Sequence, residues 1–149
     1  MLGKANSCFY LGTPTANGIL AVPYPRGVVF MGLLRWFTKN WANTTEPTHA
    51  DLAPLDLPSV DVAAAITKVE SAIRTLPNWA IESVDAATGK LHLTRKTGVV
   101  RFVDDIRLTL ENTATGAQVH ADSRSRVGTG DLGQNRRNIL ELWQAIRSR

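Results

Sequence analysis

Two groups of residues in this chain have types and spacings that can do chemistry. Asp104 and Asp105 are adjacent carboxylates inside a run that reads as a strand. Further on, Ser123-Arg124-Ser125-Arg126-Val127-Gly128-Thr129-Gly130-Asp131-Leu132-Gly133-Gln134-Asn135-Arg136-Arg137 sets three glycines, an aspartate and an asparagine among arginines. A strand pattern lies behind that stretch and a helix pattern ahead of it. Paired carboxylates can act as general acid and base or hold a metal ion. A glycine-rich turn that opens a helix can offer backbone N–H groups to an anion, with Arg136 and Arg137 close by. Combined, the two groups describe an anionic substrate or ligand held by Arg126 and the Gly128–Gly133 loop, with Asp104, Asp105 and Asp131 beside it.

A structural reading competes with each chemical one, and the sequence favours it. With an unbroken strand period, Val100, Phe102, Asp104, Ile106, Leu108 and Leu110 share one face, and Arg101, Val103, Asp105, Arg107 and Thr109 take the other. Side chains 104 and 105 then converge only if a β-bulge intervenes. Without one, Asp104 falls in an apolar row, where a carboxylate is costly unless paired or hydrogen-bonded. Arg124 or Arg126 on the next strand is the expected partner, through a bidentate guanidinium, with loop N–H groups as the alternative. Gly128, Gly130 and Gly133 suit a tight turn, and Asp131 or Asn135 suits the cap of the helix that follows. The glycine spacing matches neither a dinucleotide fingerprint nor a P-loop. His49, His92 and His120 are scattered, without metal-ligand spacing, and Ser123 and Ser125 have no nucleophile-elbow surroundings. The single cysteine, Cys8, excludes an intramolecular disulfide and a cysteine-based zinc site. The expectation is therefore no metal and no cofactor.

The elements that must position these residues are legible from periodicity. Val62, Ile66, Val69, Ile73 and Leu76 make one stripe of a helix over 61–76, which Ser59 or Asp61 can cap and Pro77 ends. Strands follow at 79–84, 90–96, 99–110 and 118–127, joined by turns at 85–89 and 112–116. A last helix over 135–148 carries Ile139, Leu142, Trp143 and Ile146 on one face. Leu52, Leu55 and Leu57 suggest a weak edge strand among prolines. The predicted fold is a two-layer α+β domain of order β-α-β-β-β-β-α. It has an antiparallel sheet of four to five strands and two helices on one face. By analogy this is the curved-sheet arrangement of the TATA-binding-protein-like fold, a likeness that carries no function.

The domain is expected over 59–149. Residues 1–30 are rich in glycine and proline and read as a poorly ordered extension, either a targeting segment or the product of a start upstream of Met31. They do not have the pattern of a secretory signal peptide. Residues 31–58 read as an apolar and basic segment followed by a linker. In that segment Leu33, Leu34, Trp36, Phe37 and Trp41, with Arg35 and Lys39, can pack on the domain or lie in a membrane interface. The formal net charge is +4. The first fifty residues hold four basic side chains against Glu46, a surplus of +3, and residues 51–149 hold thirteen basic against twelve acidic. The compact part is thus nearly neutral, which argues against a nucleic-acid partner.

Phe102-Val103-Asp104-Asp105, Ser123-Arg124-Ser125-Arg126-Val127-Gly128 and Asp131-Leu132-Gly133-Gln134-Asn135-Arg136-Arg137 together resemble the family called domain of unknown function 1499, over residues 31–149. The stretch from Phe37 to Thr44 resembles the opening of one bacterial branch. The resemblance implies that Asp104, Asp105, Ser125, Arg126, Gly128, Asp131, Gly133, Asn135 and Arg137 belong to the family's recurring pattern. It also implies a bacterial or plastid setting, hence a cytoplasmic or plastid location, peripheral to a membrane if the segment around Trp36 docks there. It implies no activity. The function expected is a small binding or interaction domain without its own catalysis, facing a protein partner or an anionic membrane surface. The alternative is a hydrolase acting on an anionic substrate at the Asp104, Arg126 and Gly128–Gly133 region.

Overall fold

The computed structural model describes residues 40–47, 49–97, 102–128 and 132–149. Alternation of apolar and polar side chains lays down most of a six-stranded antiparallel sheet. Its strands are β1 (Trp41–Asn43), β2 (Leu55–Pro58), β3 (Trp79–Asp85), β4 (Lys90–Lys96), β5 (Val103–Thr113) and β6 (Gly116–Ser125). The order across the sheet is β1-β6-β5-β4-β3, and β2 also pairs with β6. Helix α1 (Val62–Ile73) falls between β2 and β3, and α2 (Gln134–Arg147) closes the chain.

The strand count exceeds the four to five expected because two short pieces share one edge. Trp41 pairs with Arg124 and Asn43 with Asp122, while Leu55 pairs with Val119 and Pro58 with Gly116. β1 and β2 are therefore successive parts of an edge strand, separated by the excursion 44–54. Thr44 seals the break: its backbone N–H donates to the Ala121 carbonyl, and its hydroxyl accepts from the Ala121 N–H at 3.0 Å. The weak edge strand expected around Leu55 and Leu57 is β2, and Trp41–Asn43, at the junction of the apolar segment and the linker, adds β1.

α1 is capped as its sequence suggests. The Asp61 carboxylate accepts from the Ala64 N–H at 2.8 Å, and Asn112 Oδ1 accepts from the Val62 N–H at 3.2 Å. Its stripe buries Ala65, Ile66, Val69, Ala72 and Ile73. α2 buries Ile139, Leu142, Trp143 and Ile146. Both helices pack against the face that carries Leu91, Leu93, Ile106, Leu108, Leu110, Val119 and Ala121. α2 lies against β6 and β1, and α1 against β5 and β3. Burying this apolar face is the main drive for folding. The opposite face is left uncovered by either helix and is polar, as antiparallel sheets allow.

One turn depends on its glycine. Gly116, the first residue of β6 after the turn from β5, sits at φ +156° with the Leu57 carbonyl where a Cβ would project. A side chain there would displace β2 from the edge. No helix among the described residues is long and apolar enough to cross a membrane.

Candidate functional site

The register decides what Asp104 and Asp105 do. β5 and β6 pair without interruption from Asp104↔Ser125 to Thr113↔Gly116, so no bulge separates the two carboxylates. Asp104 points to the helix-covered face and Asp105 to the uncovered one. The same rule places Ser123 and Ser125 with Asp104, and Arg124 and Arg126 with Asp105. Asp104 therefore does not pair with Arg124 or Arg126, contrary to expectation: those side chains leave the sheet on its other side.

On the inner face Asp104 is 1% exposed. Its Oδ2 accepts from Asn138 Nδ2 at 2.8 Å. Asn138 is itself fully buried and uses all its hydrogen-bonding capacity. Its Nδ2 also donates to Ser123 Oγ at 3.3 Å, and its Oδ1 accepts from Arg95 Nη1 and Gln134 Nε2, each at 2.7 Å. Arg95 stands beside Asp104 in the ladder and reaches Glu141 at 2.8 Å, with its guanidinium 5.8 Å from the Trp79 ring centre. Asn135, also fully buried, accepts from Ser123 Oγ at 2.6 Å. It donates to the Asn40 carbonyl at 2.7 Å and to Ser125 Oγ at 3.1 Å. Asn135 was expected as a cap of α2; it lies one residue inside the helix, and Gly133, with φ +76°, takes the N-cap position. This cluster binds the start of α2 to the ends of β5 and β6 and to Asn40. Most of its polar atoms serve one another, while Arg95 Nε is buried without a hydrogen-bond partner.

On the uncovered face Asp105 has a different set of partners. Arg126 donates to both carboxylate oxygens at 2.8 Å, and His92 Nε2 lies 2.8 Å from Oδ1. An ionised carboxylate only accepts, so His92 carries its proton on Nε2 here. The Arg126 guanidinium is the main cause that holds the Asp105 carboxyl down to about 2; burial opposes it and His92 assists. The side chain of Asp105 is 16% exposed and that of Arg126 50%. Arg124 pairs separately with Asp122, at 2.7 Å and 3.2 Å. Thr94 donates to Glu82 at 2.7 Å.

The remaining predicted residues gather at one end of the sheet. Gly128 accepts from Asn40 Nδ2 at 3.1 Å. Arg137 donates to the Leu132 carbonyl and to Gln134 Oε1, each at 3.0 Å. Phe102, Val127 and Leu132 stand out at this end, 43%, 59% and 60% exposed. Leu132 also holds φ at +50°, a left-handed conformation that bulky side chains rarely adopt. Trp41 is a half-buried strand residue opposite Arg124. Asp131, Leu33, Leu34, Trp36 and Phe37 lie outside the described residues.

Sequence reasoning missed Arg95, His92, Asn138 and Glu141. Signals for two of them were present. Leu91, Leu93 and Arg95 alternate onto one face of β4, and Asn135 and Asn138 precede Ile139, Leu142 and Ile146 on one helical stripe. A cavity of about 430 Å³ opens at the start of α1, lined by Asp61, Val62, Thr88, Gly89, Leu110 and Asn112. It lies at the far end of β5 from the cluster. No group of three or more His, Cys, Asp or Glu side chains among the described residues is placed to hold a metal ion.

A family model described as protein of unknown function (DUF1499) matches residues 36–146. No curated protein matches the chain.

Proposed function

The chain belongs to the DUF1499 family, and from that premise we propose that it is a binding domain without catalysis of its own, working through the end of the sheet where β5 begins and α2 starts. The observation that carries this reading is the exposure of Phe102, Val127 and Leu132 together at that end, beside Arg126 and Arg137. Apolar side chains scattered singly over a surface need no explanation; three gathered on adjoining loops mark a contact. Leu132 strengthens the reading. Its left-handed backbone costs free energy, and no burial of its side chain offsets that cost. The hydrolase alternative has less support, because Asp104 and Arg126 point to opposite faces and Asp104, Ser125 and Asn135 are committed to one another's hydrogen-bonded cluster.

Hydrogen exchange tests the reading. The purified protein is compared alone and with concentrated extract of its native host. Exchange should slow at 102–105, 125–128 and 132–137. Slowing confined to α1 or to the β3–β4 hairpin would overturn the assignment of this end as the contact.

A further inference from the structure

Resting on that reading, we infer that the contact made by this end is with an anionic lipid surface, into which Phe102, Val127 and Leu132 insert. The three side chains stand at loop positions. A stable protein partner needs about 800 Å² from each side, far more than three part-exposed side chains supply. A bilayer interface needs only apolar tips that enter it and cations that stay at the headgroups. The cations are present. Lys96 ends β4, Arg126 follows β6 and Arg137 stands in the first turn of α2; of the two adjacent carboxylates here, Asp105 is held by Arg126 and Asp104 is buried under α2. Arg126 answers that carboxylate, whereas the hydrogen bonds of Arg137 go to neutral oxygens. Arg137 is bonded to the carbonyl of Leu132, so a basic head is fastened beside an inserting side chain. Long basic side chains can keep their charge in water while their stems follow apolar neighbours inward.

The connectivity agrees with this. Asn40 is bonded to Gly128 at this same end, and the chain before Asn40 carries Leu33, Leu34, Trp36 and Phe37 with Arg35 and Lys39.

The test is co-sedimentation of the full chain with phosphatidylcholine vesicles, with and without phosphatidylserine, at low and high salt. Binding should require phosphatidylserine and weaken as salt rises. Phe102→Ser, Val127→Ser and Leu132→Asn should each lower it roughly three- to tenfold, the loss expected from removing a part-buried apolar side chain. Asparagine at 132 tolerates the left-handed backbone, so that variant should fold. Arg137→Gln should lower binding by about fivefold. Val84→Ser, on an exposed apolar side chain of β3, should leave it unchanged. Absence of binding to phosphatidylserine vesicles at low salt would overturn the inference. So would a triple variant at 102, 127 and 132 that binds as the parent does. Slowed exchange at this end with extract, together with no vesicle binding, would leave the binding reading standing and assign the contact to a protein instead.

Discussion

Replacing Asn138 by alanine should be among the most damaging single changes in the domain. Asn138 holds four hydrogen bonds at a position with no solvent exposure. The four losses differ in weight. Gln134 is part-exposed and can turn to water, Ser123 keeps Asn135, and Arg95 keeps Glu141. Asp104 loses the donor that faces it while remaining 1% exposed. A hydrogen bond to a charged group contributes about 1.5–3 kcal/mol, and a buried carboxylate left without it falls at the upper end. The void left by the amide adds about 1 kcal/mol. The total is about 3–4 kcal/mol, or a melting temperature lower by on the order of 15 °C. Urea denaturation followed by the fluorescence of buried Trp79 and Trp143 measures it directly. A second experiment isolates the pair. Asp104→Asn and Asn138→Ala, combined, should cost at least about 1 kcal/mol less than the sum of the two alone. A loss under about 1 kcal/mol for Asn138→Ala, or strict additivity in the cycle, would refute the claim that this amide holds the buried carboxylate.

Three further outcomes follow from the same geometry. Asp105 has a folded pKa held at about 2, below its ordinary value of 3.8, so its stabilising contribution is complete above about pH 4 and is lost as the pH falls from there towards 2. Arg126 is half exposed, so solvent screening keeps that contribution small, and Arg126→Gln should flatten that part of the acid unfolding curve. Gly116→Ala should destabilise the domain by about 2–3 kcal/mol, through its positive φ and the opposing Leu57 carbonyl, with faster amide exchange at 55–58 as its local signature. Trp143→Phe removes the indole N–H that donates to the Ala53 carbonyl at 2.9 Å; it should cost about 1–2 kcal/mol in urea unfolding and speed exchange in 49–54.

The parts of the fold that sequence periodicity revealed are those with enough residues to show a period. Both helices carry stripes several turns long, and β3 to β6 run for at least seven residues each. β1 and β2 hold three and four residues; Leu55 and Leu57 hint at β2 as a weak edge strand, β1 shows no period, and both are defined by pairing with β6 far along the chain. The burial of Asp104 was legible for the same reason that the long strands were: a period of two put it in line with Ile106 and Leu108. Its partner was not. Residues directly opposite each other on paired strands share a face, and Asp104 stands opposite Ser125, so the register that buries Asp104 sends Arg124 and Arg126, one residue to either side of Ser125, to the other face. That exclusion needs the register, which the sequence leaves open. Asn138 then supplies what the arginines do not, from a helix thirty-four residues further on.

The adjacent carboxylates therefore have separate tasks, set by one residue of strand period. Asp104 joins Asn138, Ser123, Asn135 and Arg95 in a buried polar cluster under α2, where an apolar stripe alone would permit the helix to slide. Hydrogen bonds with fixed partners oppose such sliding, because any shift leaves buried groups unpaired. Asn135 adds the Asn40 carbonyl to this fastening, so the entry of β1, the ends of β5 and β6 and the first turn of α2 are held as one unit. Those are the elements from which Phe102, Val127, Leu132 and Arg137 project. The motif for which the sequence favoured a structural role over a catalytic one is, in the folded chain, a buried support beneath α2, and the residues of the proposed contact stand just outside it.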